Sequence, residues 1–299
     1  MSSPAPTGLP DGVSMTALGV AWVRATESER PDRLFDDPLA ARFVAASGWE
    51  PPALSPGGAA SAAGEETTRT LLVLAQSVIV RTKFLDDLLA SAWAGGARQV
   101  VILGAGLDTR AFRLPWPPGS RCFELDLGAV LDFKAGVLAG AGAEPACDRR
   151  AIAADLLADD WPKLLLDAGF RPDEPAVWIA EGLLIYFSQA ENDRLVGQIG
   201  ALSAPGHRLA ITTSRPDRPL RPGPAAGATG TGLLHDPDAV IALWRWDGPA
   251  DPAGWLAGHG WTADVYDREE RAVAYGRPLA EAADRSAATR TLLIDARRA

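Results

Sequence analysis

The stretch Val100-Val101-Ile102-Leu103-Gly104-Ala105-Gly106-Leu107-Asp108-Thr109-Arg110 constrains this chain more than any other. Its first four residues are apolar, mostly β-branched and without polar alternation, the pattern of a central parallel strand covered on both faces. Gly104 and Gly106 then let the backbone turn sharply and approach a ligand that a Cβ would push away. Further short apolar runs follow at Arg121–Leu125, Ala151–Ala153, Ala176–Ala180 and Arg208–Thr213, with helical stretches between them. Strand alternating with helix at this spacing predicts an α/β fold, a doubly wound and mostly parallel sheet, with Trp261–Tyr266 and Thr291–Asp295 as closing strands.

The glycine turn alone leaves its ligand open. It offers only G-x-G, and Thr109 stands where a dinucleotide fingerprint needs its third glycine, so a pyrophosphate site is disfavoured. A tight strand-to-helix turn with no ligand fits this stretch equally well. The residues just after the other strands narrow the choice, because a doubly wound sheet binds ligands outside the carboxyl ends of its strands. Glu124-Leu125-Asp126, Asp155-Leu156 and Glu181-Gly182 bring acids to that edge beside the open backbone of Gly104 and Gly106. Asp126, at the tip of its strand, is expected at the site and Glu124, two residues earlier, away from it. Carboxylates repel polyphosphate, whereas ribose hydroxyls, an exocyclic amine and a positive centre suit them. S-adenosylmethionine carries all three.

Composition excludes several classes. The 299 residues are 47% hydrophobic, ample for a buried core, with no run of the roughly 18–20 apolar residues that spans a bilayer. The formal net charge of -9 argues against broad nucleic-acid binding. Cys122 and Cys147 are too few for a disulfide framework, and the N-terminus shows no secretory pattern, so a reducing cytoplasm is the expected setting. His207, His235 and His259 lack metal-ligand spacing, and no metal is expected.

Before the sheet, residues 1–12 read as a disordered tail and Met15–Glu29 as an amphipathic helix. Asp37 and Pro38 open a second helix, and Pro51–Gly64 reads as a linker. Thr67–Ala94 is a long helical segment with a bend expected near Arg81-Thr82. Ser188, with Glu191 three residues later, caps a helix to Leu202, and Asp238–Trp246 and Pro252–Gly258 read as helical. Residues 216–232 are too rich in proline and glycine for a core element and read as a mobile loop or lid.

Several motifs in order resemble a known family: Arg81-Thr82-Lys83-Phe84-Leu85-Asp86-Asp87, Leu103–Arg110, Phe123-Glu124-Leu125-Asp126, Ala154-Asp155-Leu156 and Ala180–Tyr186. Together they are similar to class I S-adenosylmethionine-dependent methyltransferases of the leucine carboxyl methyltransferase group, which includes actinobacterial methyltransferases and polyketide carboxyl O-methyltransferases. The resemblance runs from about Thr16 to the C-terminus. It implies a Rossmann-like methyltransferase domain over 96–299 with a cap or lid insertion at about 216–255, and an N-terminal helical cap within 1–95, as one structural unit. It also implies S-adenosyl-L-methionine as cofactor, with Arg81 on the methionine carboxylate, Gly104 and Gly106 beneath the ligand and Asp126 on the ribose. Asp155 and Leu156 would frame the adenine, Glu181 would lie near the amino-acid end, and Arg24 is the candidate basic residue of the N-terminal helix.

The implied reaction is O-methylation, with the carboxylate of a small molecule or peptide as the first-choice acceptor and no nucleic-acid or membrane partner, in a monomer or homodimer. A carboxylate is ionised at pH 7 and needs no general base; a phenol, with a pKa near 10, would need one, and His235 or Tyr275 would then gain importance. A nicotinamide-dependent dehydrogenase, a cofactor-assisted rearrangement of a natural product and a binding scaffold are the competing readings. Asp108, Thr109 and Arg110 read equally well as part of the site or as a helix start with Arg110 paired on the surface, the pairing expected if they only open a helix.

Overall fold

The computed structural model describes residues 13–51, 62–214, 239–240, 242–245, 248–278 and 291–299. Seven strands form one sheet: β1 (Gln99–Leu103), β2 (Arg121–Asp126), β3 (Asp148–Ala153), β4 (Ala176–Ala180), β5 (Arg208–Ser214), β6 (Trp261–Asp267) and β7 (Thr291–Arg298). They lie in the order β3-β2-β1-β4-β5-β7-β6. β1 to β5 are mutually parallel, while β7 runs antiparallel to both β5 and β6. β6 therefore ends on the same edge as β1 to β5, and β7 begins there. The architecture is the expected mostly parallel, Rossmann-like sheet.

Period-2 alternation divides the strands between two cores. Val101, Leu103, Phe123, Leu125, Trp178, Leu209 and Ile211 face one side and pack on helices α6 (Trp161–Asp167), α7 (Gln189–Ala201) and α8 (Pro252–Gly258). Val100, Ile102, Cys122, Val177, Ile179 and Ala210 face the other, against α3 (Ala62–Ala94), α4 (Arg110–Arg113) and α9 (Arg268–Ala274). Apolar cover on both faces is the physical reason these strands read as unbroken apolar runs. β3 is different: as an edge strand with a mostly exposed pattern it begins at Asp148, and its apolar content betrayed only its last three residues.

The N-terminal helices form a third cluster. α1 (Val13–Ser28) and α2 (Ala40–Ser47) bring Leu18, Ala21 and Phe43 onto Leu107 and onto Phe133 of α5 (Gly128–Gly140). α2 starts at Ala40 rather than at Pro38, with Asp37 Oδ1 accepting the Ala40 N–H at 3.1 Å. α3 starts at Ala62, inside the stretch read as a linker, and runs without a break through Arg81 and Thr82. Neither residue removes a backbone donor as proline does, and Thr82 is fully buried, so nothing there interrupts the helical ladder.

α7 carries the expected capping box of Ser188 and Glu191. α8, placed by sequence at the edge of the lid insertion, instead buries Leu256 in the core and hydrogen-bonds Trp255 Nε1 to Asp193 at 2.7 Å. The tail 1–12, the Pro- and Gly-rich stretch 216–232 and most of the helix expected over Asp238–Trp246 lie outside the described residues. No described helix is long and apolar enough to cross a membrane.

Trp178 has no solvent exposure and stacks with Trp161 and Phe170 at centroid distances of 6.3 and 5.0 Å. Trp178→Ala is expected to lower the unfolding free energy by about 3–5 kcal/mol, read as a shift of the urea midpoint with little change in slope.

Candidate active site

Beyond Leu103 the chain enters the left-handed region at Gly104 (φ 62°) and Gly106 (φ 46°). The left-handed conformation favours glycine at Gly104, and a Cβ there would stand 2.7 Å from Leu183 Cδ1, so that side chain would have to move aside. The loop is tied to the end of β2: Ala105 N donates to Leu125 O at 3.0 Å and Gly106 N to Asp126 Oδ2 at 2.6 Å. Asp126 Oδ1 accepts the Leu127 N–H at 2.7 Å, and burial pushes this carboxyl above its ordinary pKa. Asp155, after β3, uses Oδ1 to accept from Leu157 N at 2.8 Å and Ala158 N at 3.3 Å. Each carboxylate thus orders local backbone and keeps lone pairs for a ligand.

After β4, Glu181 stands between two arginines. Its Oε1 accepts from Arg81 Nε at 2.9 Å and its Oε2 from Arg110 Nη1 at 2.8 Å. Arg110 also bonds Asp86 Oδ1 at 2.8 Å and pairs with Asp108, while Asp86 receives a two-pronged contact from Arg113. Arg110 is 2% exposed, so the surface pairing expected from the sequence is replaced by a buried ion network. Local sequence cannot show these partners, because Asp86 and Glu181 lie 24 and 71 residues away. Burial alone would raise Asp108, but Arg110, Lys134 and Arg24 draw it down to about 2. Glu181 is likewise held below its usual value, its burial outweighed by Arg110 and Arg81.

Arg24 of α1 is anchored in the same way, with Nε on Asp37 Oδ2 at 2.8 Å and Nη2 on Leu107 O at 2.6 Å. Asp37 Oδ2 also accepts from Thr109 Oγ1 at 2.6 Å, joining the helical cap to the glycine loop. Glu124 points away from this edge as expected, its buried carboxylate meeting Lys134 and Arg149 at 2.7 Å each.

These groups line one cavity of about 520 Å³, within the range of small-molecule and cofactor sites. Arg24, Arg81, Gly104, Gly106, Asp126, Asp155, Leu156 and Glu181 all face it. Tyr275 does not: its hydroxyl bonds Asp87 at 3.1 Å on the outer side of α3, and burial with that carboxylate pushes its pKa up, away from use as a base. His235 lies outside the described residues, and His207 is buried, hydrogen-bonded by Trp178 Nε1 at 3.3 Å. Sequence reasoning gave no site role to Tyr186, Thr213 or Arg268, and read Asp37 only as a helix cap. Tyr186, Thr213 and Arg268 line the cavity, and Asp37 holds Arg24 against it. Arg268 directly follows β6, so the carboxyl-end rule would have found it had β6 been recognised as parallel to β1.

Comparison with known proteins shows the family of the chain. A sequence model of the leucine carboxyl methyltransferase family matches residues 17–200. The chain belongs to that family. A protein of Streptomyces coelicolor named as an S-adenosyl-L-methionine-dependent methyltransferase is 48% identical over 270 residues, covering 90% of each chain. One of Streptomyces avermitilis with the same designation is 47% identical over 270 residues, again with 90% of each covered. The crystal structure of a DUF574 family protein from Streptomyces avermitilis shares the fold, with a TM-score of 0.57 at 15% identity over 95% of this chain and 97% of that one. This leucine carboxyl methyltransferase family member is therefore an S-adenosyl-L-methionine-dependent methyltransferase, and its cavity chemistry fits that cofactor: carboxylates for hydroxyl and amine donors, and arginines for a carboxylate.

Asp108 sets a pH dependence. Its pKa is about 2 in the folded chain against about 3.9 unfolded, so it contributes stability above pH 4 that is lost as pH falls toward 2. The contribution is on the order of 2 kcal/mol. Asp108→Asn is expected to flatten the fall of the urea midpoint between pH 5 and pH 2.5, while wild type falls steeply.

Proposed function

We propose that the protein is an O-methyltransferase acting on a carboxylate of a small molecule or peptide. One observation carries the choice of acceptor. Among the described residues lining the cavity there is no histidine, and its phenol, Tyr186, is pushed above its ordinary pKa by burial. The acids are already engaged, Asp108 and Glu181 by arginines, Asp126 and Asp155 by backbone amides. A cavity lining whose described residues include no histidine suits an acceptor that is already an anion at pH 7.

When bound, S-adenosyl-L-methionine supplies a methyl group made electrophilic by its sulfonium sulfur. The protein's own residues would hold it from several sides. Gly104 and Gly106 leave room beneath it. Asp126 accepts from ribose hydroxyls, and Asp155 accepts from the adenine amine beside the apolar wall of Leu156. Arg81, oriented by Glu181 through Nε, presents its terminal nitrogens to the methionine carboxylate, a planar fork suited to that group. Glu181 faces the amino end and Arg24 supports the same anion from the cap. The remaining wall contains Trp22, Trp49, Leu74, Val78 and Trp244, which excludes water and favours an acceptor with apolar or aromatic bulk. Rate enhancement then comes from alignment and desolvation rather than from proton transfer.

Two measurements test this reading. In calorimetric titration with S-adenosylhomocysteine, Arg81→Ala is expected to raise the Kd by about 30-fold or more and Asp155→Ala by about tenfold. Unchanged affinities would remove those roles. With methyl-labelled donor and a panel of carboxylic acids, the labelled product should release methanol in mild alkali, as methyl esters do. An alkali-stable product would mark an ether and overturn the carboxylate assignment.

A further inference from the structure

Arg268 is 2% exposed, at the start of α9 immediately after β6, and it lines the cavity. Its Nε and Nη2 are buried with no hydrogen-bond partner among the described residues. The carboxylate within ion-pair reach is Glu269 at 3.9 Å, too long for a hydrogen bond and 41% exposed. The other buried arginines described around the site are matched: Arg24 by Asp37, Arg110 by Asp86, Asp108 and Glu181, Arg113 by Asp86. A buried cation left without a hydrogen-bonded anion among the described residues is costly, and this one lies in the wall of the cavity.

A second observation falls on the same part of the cavity. Thr213, near the end of β5, is buried with its Oγ1 unpartnered among the described residues, and it also lines the cavity. Beside it Thr291 Oγ1 and Ser77 Oγ lie 3.1 Å apart. The carboxyl edge of the sheet is therefore divided. After β1 comes the open backbone of Gly104 and Gly106, and β2, β3 and β4 are followed by or end in acids; β5 and β7 bring hydroxyls, and β6 ends in Asp267, whose side chain caps α9 by accepting the Glu269 N–H at 2.7 Å, followed by the Arg268 guanidinium. With three strand steps of about 4.8 Å from β4 to β6, this region lies beyond the Arg81 and Glu181 end of the cavity.

We propose that Arg268, with Thr213 across β7 on the same edge, is the acceptor-binding anion subsite, a fork that grips a carboxylate of the substrate to be methylated. This rests on the reading that S-adenosyl-L-methionine occupies the β1–β4 half of the cavity. It adds a specificity residue: acceptors carrying an anion are retained, and neutral amides of the same shape are not. Burial lowers the Arg268 pKa from its ordinary value, yet an arginine stays charged at neutral pH, so the subsite is cationic when the acceptor arrives.

The test uses the full chain saturated with S-adenosylhomocysteine and titrated with benzoate, phenylacetate and decanoate, then with their amides, for wild type, Arg268→Met, Arg268→Lys and Thr213→Val. Wild type is expected to bind at least one of the acids and none of the amides. Arg268→Met should weaken acid binding by about ten- to hundredfold, Arg268→Lys should restore part of it, and Thr213→Val should lose a few-fold. S-adenosylhomocysteine affinity should be unchanged in all three variants, and the Tm of Arg268→Met should stay level or rise, because the substitution removes an unmatched buried charge. Loss of S-adenosylhomocysteine affinity or a fall in Tm in Arg268→Met would assign the residue to the cofactor or to folding and overturn the proposal. So would acid binding insensitive to Arg268, or no binding of any acid to wild type. Methyl transfer assayed separately keeps the two readings apart. Arg268-dependent binding of acids without ester formation sinks the carboxyl methylation reading alone, and ester formation undiminished in Arg268→Met sinks the subsite alone.

Discussion

The guanidinium of Arg110 is the interaction on which this site depends. It joins three carboxylates from three parts of the chain: Asp86 on α3, Asp108 in the glycine loop and Glu181 after β4. A planar group with five donors can do this where a lysine could not. Because Glu181 in turn holds Arg81, the position of the residue proposed for the methionine carboxylate is set through a chain of ion pairs that reaches back to Asp86. Breaking any member would strand a buried charge, which makes the network an all-or-none scaffold rather than a sum of small contacts.

The cap is attached to this scaffold by the same chemistry. Asp37 takes Arg24 and Thr109 on one oxygen and the start of α2 on the other, so the helices above the site and the glycine loop below it share one acid. A further link runs from Arg277, after α9, to Glu27 and Asp32 at the end of α1. Polar clamps therefore tie the N-terminal helices to the core beside the cavity, whose wall also contains Trp22, Trp49 and Leu74. Among the described residues Arg268 is the exception to these matched charges, a buried guanidinium in the cavity wall whose Nε and Nη2 have no hydrogen-bond partner.

Much of the fold was legible because its signals are local. Seven strands, the glycine turn, the Ser188 capping box and the acids at the strand ends are each written in a few neighbouring residues, where period and turn chemistry act directly. The misreadings share a cause. A bend at Arg81-Thr82 and a linker reaching Gly64 were inferred from residue types that weaken a helix in isolation, and packing of α3 on the sheet overrides such weak preferences. Tyr275 looked like a base in sequence, yet it stands on the outer side of α3, because α9 places it against Asp87.

The amino-acid sequence by itself determined the parallel sheet, the edge at which the cavity opens and the acids that follow β2, β3 and β4, since each follows from the order of residues along a strand and the turn after it. Only the tertiary structure decided which charges are matched. Arg110 meets Glu181 across 71 residues and Arg81 meets it across 100, while Arg268 finds no such partner among the described residues. Whether a buried charge is part of a scaffold or is left to face a ligand depends on distances that only the folded chain sets.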